Sequence, residues 1–460
     1  MQTPHSWFLI AVFAVATSSV ACSGGGASTG SPGSGGSSDA AGPAGSGGSG
    51  SGGSIAGTGG QADAGPGASG GAGGAVAMDA PGGDDAPAPG DAGMDAKIDL
   101  PAPSMTWTGT WASSPQGCGG GFNNQTMREI VHTSIGGNAA RVRISNTFSS
   151  GPLQIRDVHL AQRTTGSSID PATDKALLFA GKPDVTIPAG MYAVSDGADF
   201  MVKPVSDVAV SFFVVSHNGA TCHQSGFQTN YAVGGNMVSA ATLNGAQNNG
   251  SYFFLSNLDV MNPDAEGAVV TLGASITDGY IAPSDANRRW PNDLAVRLVA
   301  GNRVIGVLNQ GISGDGVANA VSRFDRDVLS QPNVKWVIFS DNPINDLGNF
   351  NPSAQSEIDK IKGMVAKAHD KGIKFLCSTL TPFQNANYWS PQKEPGRTAI
   401  NAFIRGADSG CDGIIDQDTA THDPANPIHY AAMFNAGDNL HPNVAGLQAI
   451  ADAVKFDLFK

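Results

Sequence analysis

Ser275, Asp438 and His441 are the residue types that acyl transfer needs at neutral pH: a nucleophile, a base to take its proton, and an anion to orient the base. Ser275 lies in Val269-Val-Thr-Leu-Gly-Ala-Ser-Ile-Thr-Asp-Gly279, an apolar run that breaks into small residues. That pattern is a buried strand entering a sharp turn, with one hydroxyl presented at the bend. Far downstream, Asp438-Asn-Leu-His441-Pro-Asn sets a carboxylate and an imidazole three residues apart.

Those groups need a scaffold that brings distant segments to one place. From Glu266 onward five apolar runs, 268–272, 304–308, 334–339, 373–377 and 413–415, alternate with helical patterns near 291–300, 316–330, 354–371, 394–407 and 443–458. Strand–helix alternation with continuous apolar strands predicts a parallel sheet covered on both faces. Trp290-Pro291 fits a helix start and Gly372 a helix end before the fourth strand. Ligands of such sheets lie beyond the carboxyl ends of the strands. Ser275 follows the first strand, Gly314 the second and Asn345 the third, and His441 precedes the last helix. All four therefore converge on one rim.

Residues 105–265 have a different texture. Short β-branched or alternating runs, such as Ala140-Arg-Val-Arg-Ile144 and Val208-Ala-Val-Ser-Phe-Phe-Val-Val215, are separated by turn formers such as Ser149-Ser-Gly-Pro152. This predicts an antiparallel β-sandwich. Trp107, Trp111, Phe122 and Tyr231 are read first as core or edge aromatics, with a sugar-binding face as the alternative.

Four ordered blocks, Gly273-Ala-Ser275, Asn309-Gln-Gly-Ile-Ser-Gly314-Asp, Ile344-Asn345-Asp346-Leu-Gly and Asp438-Asn-Leu-His441, resemble the SGNH (GDSL) hydrolase superfamily over 266–460. The leading half is similar, more loosely, to the β-rich part of two-part bacterial esterases of that group. The resemblance implies a flavodoxin-like three-layer α/β fold with Ser275 as nucleophile, His441 as base and then acid, and Asp438 as its orienter. It also implies an oxyanion hole built from the Ser275 and Gly314 N–H groups and the Asn345 amide. Such chemistry calls for no metal and no organic cofactor. Two positions depart from the pattern: Ala274 stands where the family has Asp, and Pro343 where it has Gly.

Read singly, each residue has a plainer role. Ser275 could cap a helix or hold a phosphate, His441 could cap the helix ahead of which it lies, and His223 beside Cys222 reads as structural. No Gly-x-Gly-x-x-Gly follows a strand and no Walker sequence is present, so nucleotide binding has no support. The acids and histidines of 416–429 match no standard metal spacing and read as a solvated loop.

The amino-terminal part predicts export. Residues 1–22 form a signal with an apolar core from Trp7 to Ala16, too short to span a bilayer. Ser19-Val-Ala-Cys22 resembles a lipoprotein box that would make Cys22 the lipidated residue; the same residues also suit ordinary signal cleavage and free secretion. Residues 23–104 are nearly all Gly, Ser, Ala, Pro and Asp, unable to bury enough apolar surface to offset ordering, and predict a disordered linker. A coil of this kind has an r.m.s. span of about 50 Å. Eight Asp against Lys97 give the linker −7 of the net −13, leaving −6 for 105–460. The lack of a basic run or Arg/aromatic stripe argues against nucleic acid as a partner, and the membrane contact expected is through a lipid on Cys22. In an exported chain Cys118, Cys222, Cys377 and Cys411 predict disulfides, and the pairing that respects the change of texture is Cys118–Cys222 with Cys377–Cys411.

The expected protein is thus an exported serine esterase, tethered or secreted, acting on carboxylic esters such as short acyl groups on polysaccharide. The competing expectation, carried by Ala274, Pro343 and the aromatics of the first half, is a surface glycan-binding lipoprotein whose α/β half is catalytically weak or silent.

Overall fold

Strands from Trp107 to Met261 build two antiparallel sheets that share one apolar core. In the first, Trp107–Ala112 pairs with Leu255–Met261, which pairs with Gly137–Ser145, which pairs with Ala198–Val202. In the second, the central strands are Asn230–Gly234, Gln125–His132, Asp207–Ser216 and Leu153–Thr165. Alternating residues of both, among them Met127, Val131, Val142, Ile144, Val210, Phe212 and Leu258, fill the space between. This is the period-2 burial expected of a sandwich. A small third sheet joins Tyr252–Phe253, Ala220–His223 and Gln116–Cys118, and its central strand is linked to the last of these through Cys118–Cys222, with Cα atoms 6.0 Å apart. The aromatics of this half serve its interior and edges. Trp111 is buried edge-on against Tyr252 at 4.7 Å, Phe122 packs on Phe253 at 4.4 Å, Tyr231 is buried, and Trp107 lies under Arg141.

The computed structural model describes residues 106–460. The expected export signal 1–22 with Cys22, and the whole of the expected linker 23–104, lie outside the described residues.

The second half is a five-stranded parallel sheet. Its strands, in sequence, are Gly267–Gly273, Ile305–Gly311, Val334–Phe339, Lys374–Ser378 and Gly413–Ile415, arranged two-one-three-four-five. Among the described residues the α-helices that accompany them are α1 Ser275–Asp278, α2 Trp290–Ala300, α3 Val317–Phe324, α4 Asn342–Asn349, α5 Ala354–His369, α6 Glu394–Arg405, α7 Gln417–Thr421 and α8 Val444–Ala453. Because the step from strand one to two runs opposite to the steps beyond, right-handed crossovers send α2 to one face and α3, α5 and α6 to the other. The contacts agree, since α2, α7 and α8 pack together and α3, α4, α5 and α6 pack together. Cys377 on strand four is bonded to Cys411, with Cα atoms 5.8 Å apart. Helix α2 starts with Pro in its first turn, and Gly372 takes the left-handed φ of 69° after α5.

Two elements differ from the periodicity. The last helix stops at Ala453 rather than 458, because Val454 turns extended and Phe456–Phe459 forms a separate 3₁₀ turn. The short helices α1, α4 and α7 all follow strands directly, and their four to eight residues are too few for a 3.6 period to show.

The two halves fall in one compact unit. Strand two is the edge of the parallel sheet, and Trp107–Ala112 lies against it. A Cβ on Gly306 would sit 2.0 Å from the Gly109 carbonyl oxygen, so this approach requires glycine. Val307 N–H, which faces out from the edge, donates to Ser134 Oγ at 2.9 Å. The β half thus covers an edge that would otherwise expose unpaired backbone groups. Further bonds, Asn333 Nδ2 to Thr108 Oγ1 and Asn257 Nδ2 to Gln331 Oε1, make the contact polar as well as close.

Candidate active site

Strand one ends in Gly273, and the chain turns through Ala274 into α1, whose first residue is Ser275. The turn is closed by a carboxylate from across the sheet. Asp341, which follows strand three, accepts from Ala274 N–H at 3.0 Å and Thr277 Oγ–H at 2.6 Å on Oδ1, and from Ile276 N–H at 2.8 Å on Oδ2. Gly273 makes room for this, since a Cβ there would lie 2.5 Å from Asp341 Oδ1. The carboxylate that closes this turn thus comes from position 341. Pro343, the other departure, falls in the first turn of α4, where a missing N–H leaves no helical bond unmade.

Ser275 Oγ lies 2.9 Å from His441 Nε2, and His441 Nδ1 lies 2.6 Å from Asp438 Oδ2. Asp438 Oδ1 accepts from the N–H groups of His441 and Leu440 at 2.9 and 3.0 Å. Burial pushes the Asp438 pKa up, but the His441 imidazole and these two N–H groups outweigh it and hold the carboxyl below its ordinary range. An ionised Asp438 can only accept, so Nδ1 carries the ring proton and Nε2 is left to accept from Ser275 Oγ–H. The loop is fixed by Asn435, whose Oδ1 accepts from Asn439 N–H at 3.1 Å, and by Asn443, which caps α8. The Tyr280 ring stands 4.5 Å from the His441 ring, and Tyr280 is 45% exposed.

Gly314 and Asn345 share the same rim. The N–H groups of Ser275 and Gly314 make no bond within the described residues. Gly314 holds φ at 84°, while a Cβ there would meet nothing within 4 Å. The demand on that position is conformational, rather than the close backbone approach that its small size first implies. Asn345 donates one Nδ2–H to Asp315 O at 3.0 Å, and its Oδ1 faces Tyr388 OH at 3.4 Å, which orients the amide with a second N–H left over. Asp346 points elsewhere: its Oδ2 accepts from Val317 N–H at 2.7 Å at the start of α3. A cleft of about 540 Å³ opens over these groups, and Asp438 is its one ionised lining residue.

Residues 271–449 match the model of the GDSL-like Lipase/Acylhydrolase family. Among solved structures the GDSL-like domain is similar to a GDSL-like lipase from Bacteroides thetaiotaomicron, at 17% identity over 42% of this chain and 88% of that one, TM-score 0.34. It is also similar to an acetylxylan esterase from Geobacillus stearothermophilus, at 21% identity over 41% of this chain and 92% of that one, TM-score 0.33. No curated protein matches the sequence.

Sequence spacing identified the residues that meet in the GDSL-like domain's cleft but not those that hold them. Asp341 was missed because nothing local marks it; its partners lie more than sixty positions earlier, at 274, 276 and 277. Tyr280 and Tyr388 were missed because a lone Tyr in a loop has no periodic signal. Among the described residues no group of three or more His, Cys, Asp or Glu is placed to hold a metal ion. The acids of the 416–429 loop are engaged instead: Arg405 bonds Asp416 and Asp418, and Arg397 bonds Asp418. Burial raises the Asp416 carboxyl, yet Arg405, Thr419 N–H and Thr379 bring it down to about 2.

Proposed function

We propose that this chain is an exported serine esterase with a flavodoxin-like α/β domain and an antiparallel β half. The observation that carries the reading is the unbroken bond line from Ser275 Oγ through His441 to Asp438, at 2.9 and 2.6 Å. The strand order two-one-three-four-five, with ligand groups beyond the carboxyl ends, supports the fold assignment.

In this mechanism Ser275 Oγ attacks the ester carbonyl while its proton passes to His441 Nε2. The new imidazolium is stabilised by Asp438. The carbonyl oxygen becomes an oxyanion facing Ser275 N–H, Gly314 N–H and the free Asn345 N–H; each such donor is worth roughly 3 kcal/mol of barrier. Collapse breaks the bond to the alcohol oxygen, which takes the proton from His441. Water then attacks the acyl-Ser275, giving its proton to His441, and the acid leaves as Ser275 Oγ regains that proton.

Substrate chemistry follows from the lining. Tyr280, Tyr388, Asn349 and Asn387 present rings and amides, and among the described residues no Lys or Arg lines the cleft. Such a surface suits a neutral, hydroxyl-rich alcohol better than a phosphorylated or uronic one, so we assign short acyl groups, acetyl first, on neutral polysaccharide. A tether at Cys22 would hold the enzyme at the outer surface; palmitate labelling that vanishes in Cys22→Ala tests it, and no label on the parent contradicts it.

The alternative, a silent binding lipoprotein, rests on Ala274, Pro343 and the aromatics of the β half; Asp341 holds the turn at Ala274, Pro343 sits in the first turn of α4, and Trp111, Phe122 and Tyr231 pack into the interior or edges of their sheets. The test is acetate release from acetylated xylan, with p-nitrophenyl acetate, butyrate and octanoate compared beside Ser275→Ala. Rates that fall with chain length and vanish in the variant support the reading; equal rates in parent and variant overturn it.

A further inference from the structure

The β half touches the catalytic loops at one buried point. Asp278, the last residue of α1, lies three residues after Ser275. Its Oδ2 accepts from Ser313 N–H at 2.9 Å and from Ser313 Oγ–H at 2.7 Å, and Ser313 directly precedes Gly314. Asp278 therefore ties the nucleophile's helix to the loop that presents the Gly314 N–H. The approach is close, because a Cβ on Gly311 would fall 2.3 Å from Asp278 N.

The other oxygen, Oδ1, lies 3.0 Å from His223 Nε2, at the end of strand Ala220–His223 of the β half. His223 Nδ1 lies 3.0 Å from the Ser114 carbonyl oxygen. A carbonyl only accepts, so Nδ1 carries a proton. A second proton must then lie between Nε2 and Oδ1, for otherwise two lone pairs would face each other in a site where both residues are under a tenth exposed. The shared proton makes the pair a directed hydrogen bond, not a passive contact.

Both ends of the link are anchored. The neighbouring Cys222 is bonded to Cys118, and the strand pairs His223 with Tyr252. Ser114 is gripped by the buried Arg323, which also donates to the carbonyls of Gly273 and Gln310 at the ends of strands one and two.

We infer that His223 is a positioning residue for the oxyanion loop, acting from the β half through Asp278 on Ser313 and Gly314. This deepens the esterase reading and rests on it. Without its partner at Nε2, the buried Asp278 Oδ1 would be left unsatisfied, and the carboxyl group would turn, carrying Ser313 with it. A shift of about 1 Å in a reacting group costs on the order of 10²-fold in rate.

The test uses the natural geometry of amides. In the full chain, His223→Gln places an N–H near the position of Nε2, whereas His223→Asn places one near Nδ1 and leaves Asp278 unserved. With p-nitrophenyl acetate, the Gln variant should keep kcat within about threefold of the parent, and the Asn variant should lose on the order of 10²-fold in kcat with KM within about threefold. Amide exchange of the peptide spanning 309–316 should quicken by roughly tenfold in the Asn variant and stay slow in the Gln variant. Equal losses in both variants would make His223 merely structural, and parental kcat and protection in the Asn variant would remove the link altogether. If the parent hydrolyses no ester, the esterase reading fails, and the exchange comparison alone then decides whether His223 holds the loop.

Discussion

At the scale of single residues, the chemistry depends on hydrogen bonds whose direction is fixed by acceptor-only partners. Asp438 fixes the His441 tautomer, and Asp341 fixes the turn that carries Ser275. Asp341→Ala would leave two buried N–H groups and the Thr277 hydroxyl without their acceptor, which costs about 3 kcal/mol of stability and on the order of 10²-fold in kcat. Asp341→Asn retains one acceptor oxygen and should recover part of both, as read by denaturant unfolding and ester hydrolysis. If the Ala variant matches the parent in both measurements, the turn is held by something other than Asp341. The contrast between Ser275 and Asp341 shows what the sequence exposes. Ser275, Gly314, Asn345, Asp438 and His441 stand in short blocks at the ends of predictable strands, so order and spacing reveal them. Asp341 and His223 act on residues distant in the chain, through contacts that exist only once the sheet and sandwich are assembled.

Elements in the two halves were legible to different depths. The five parallel strands are continuous apolar runs, and their positions follow from composition alone; the long helices follow from period. The sandwich strands follow from alternation, yet their pairing does not, because Leu255–Met261 returns beside Trp107–Ala112 from the far end of the half. Buried polar groups within strands are also hidden from periodicity. Glu129, on strand Gln125–His132, is fully buried; Phe253 N–H donates to its Oε1, while Oε2 has no partner among the described residues. Burial pushes its carboxyl well above the ordinary range, and the Phe253 bond only partly opposes this. A carboxyl whose folded pKa is raised stays protonated in the fold where the unfolded chain has released its proton. Its contribution is therefore greatest below the unfolded value of about 4.3 and declines as pH rises towards the folded one. Glu129→Gln should raise Tm at pH 8 by about 2 °C or more and flatten the loss of Tm between pH 5 and 8. A lower Tm at pH 8 in the Gln variant would count against a neutral Glu129. At the junction, Gly306→Ala drives a methyl into the Gly109 carbonyl and should cost about 3 kcal/mol or more; an unchanged unfolding midpoint would show that the two halves do not pack as described.

For the whole molecule, the change of texture near residue 266 marks two halves, and the described residues of both pack in one compact unit. The reason is physical: an edge strand with an outward N–H at Val307 is completed by Ser134 of the other half, and the helix that begins at Ser275 contacts His223 of that half through Asp278. Residues 266–460 expressed alone should be poorly soluble or catalytically impaired, while removal of 1–104 should leave kcat on p-nitrophenyl acetate unchanged within about twofold. A soluble, fully active 266–460 would show that the β half is an attachment only. The central claim, that Ser275 is a nucleophile activated by His441, is tested most directly by fluorophosphonate labelling with the modified peptide identified by mass. The account predicts one phosphonyl group per chain, on Ser275, with labelling slowed by at least about 10³-fold in His441→Ala. No label on the parent, label on another residue, or equal labelling of the two proteins would contradict it.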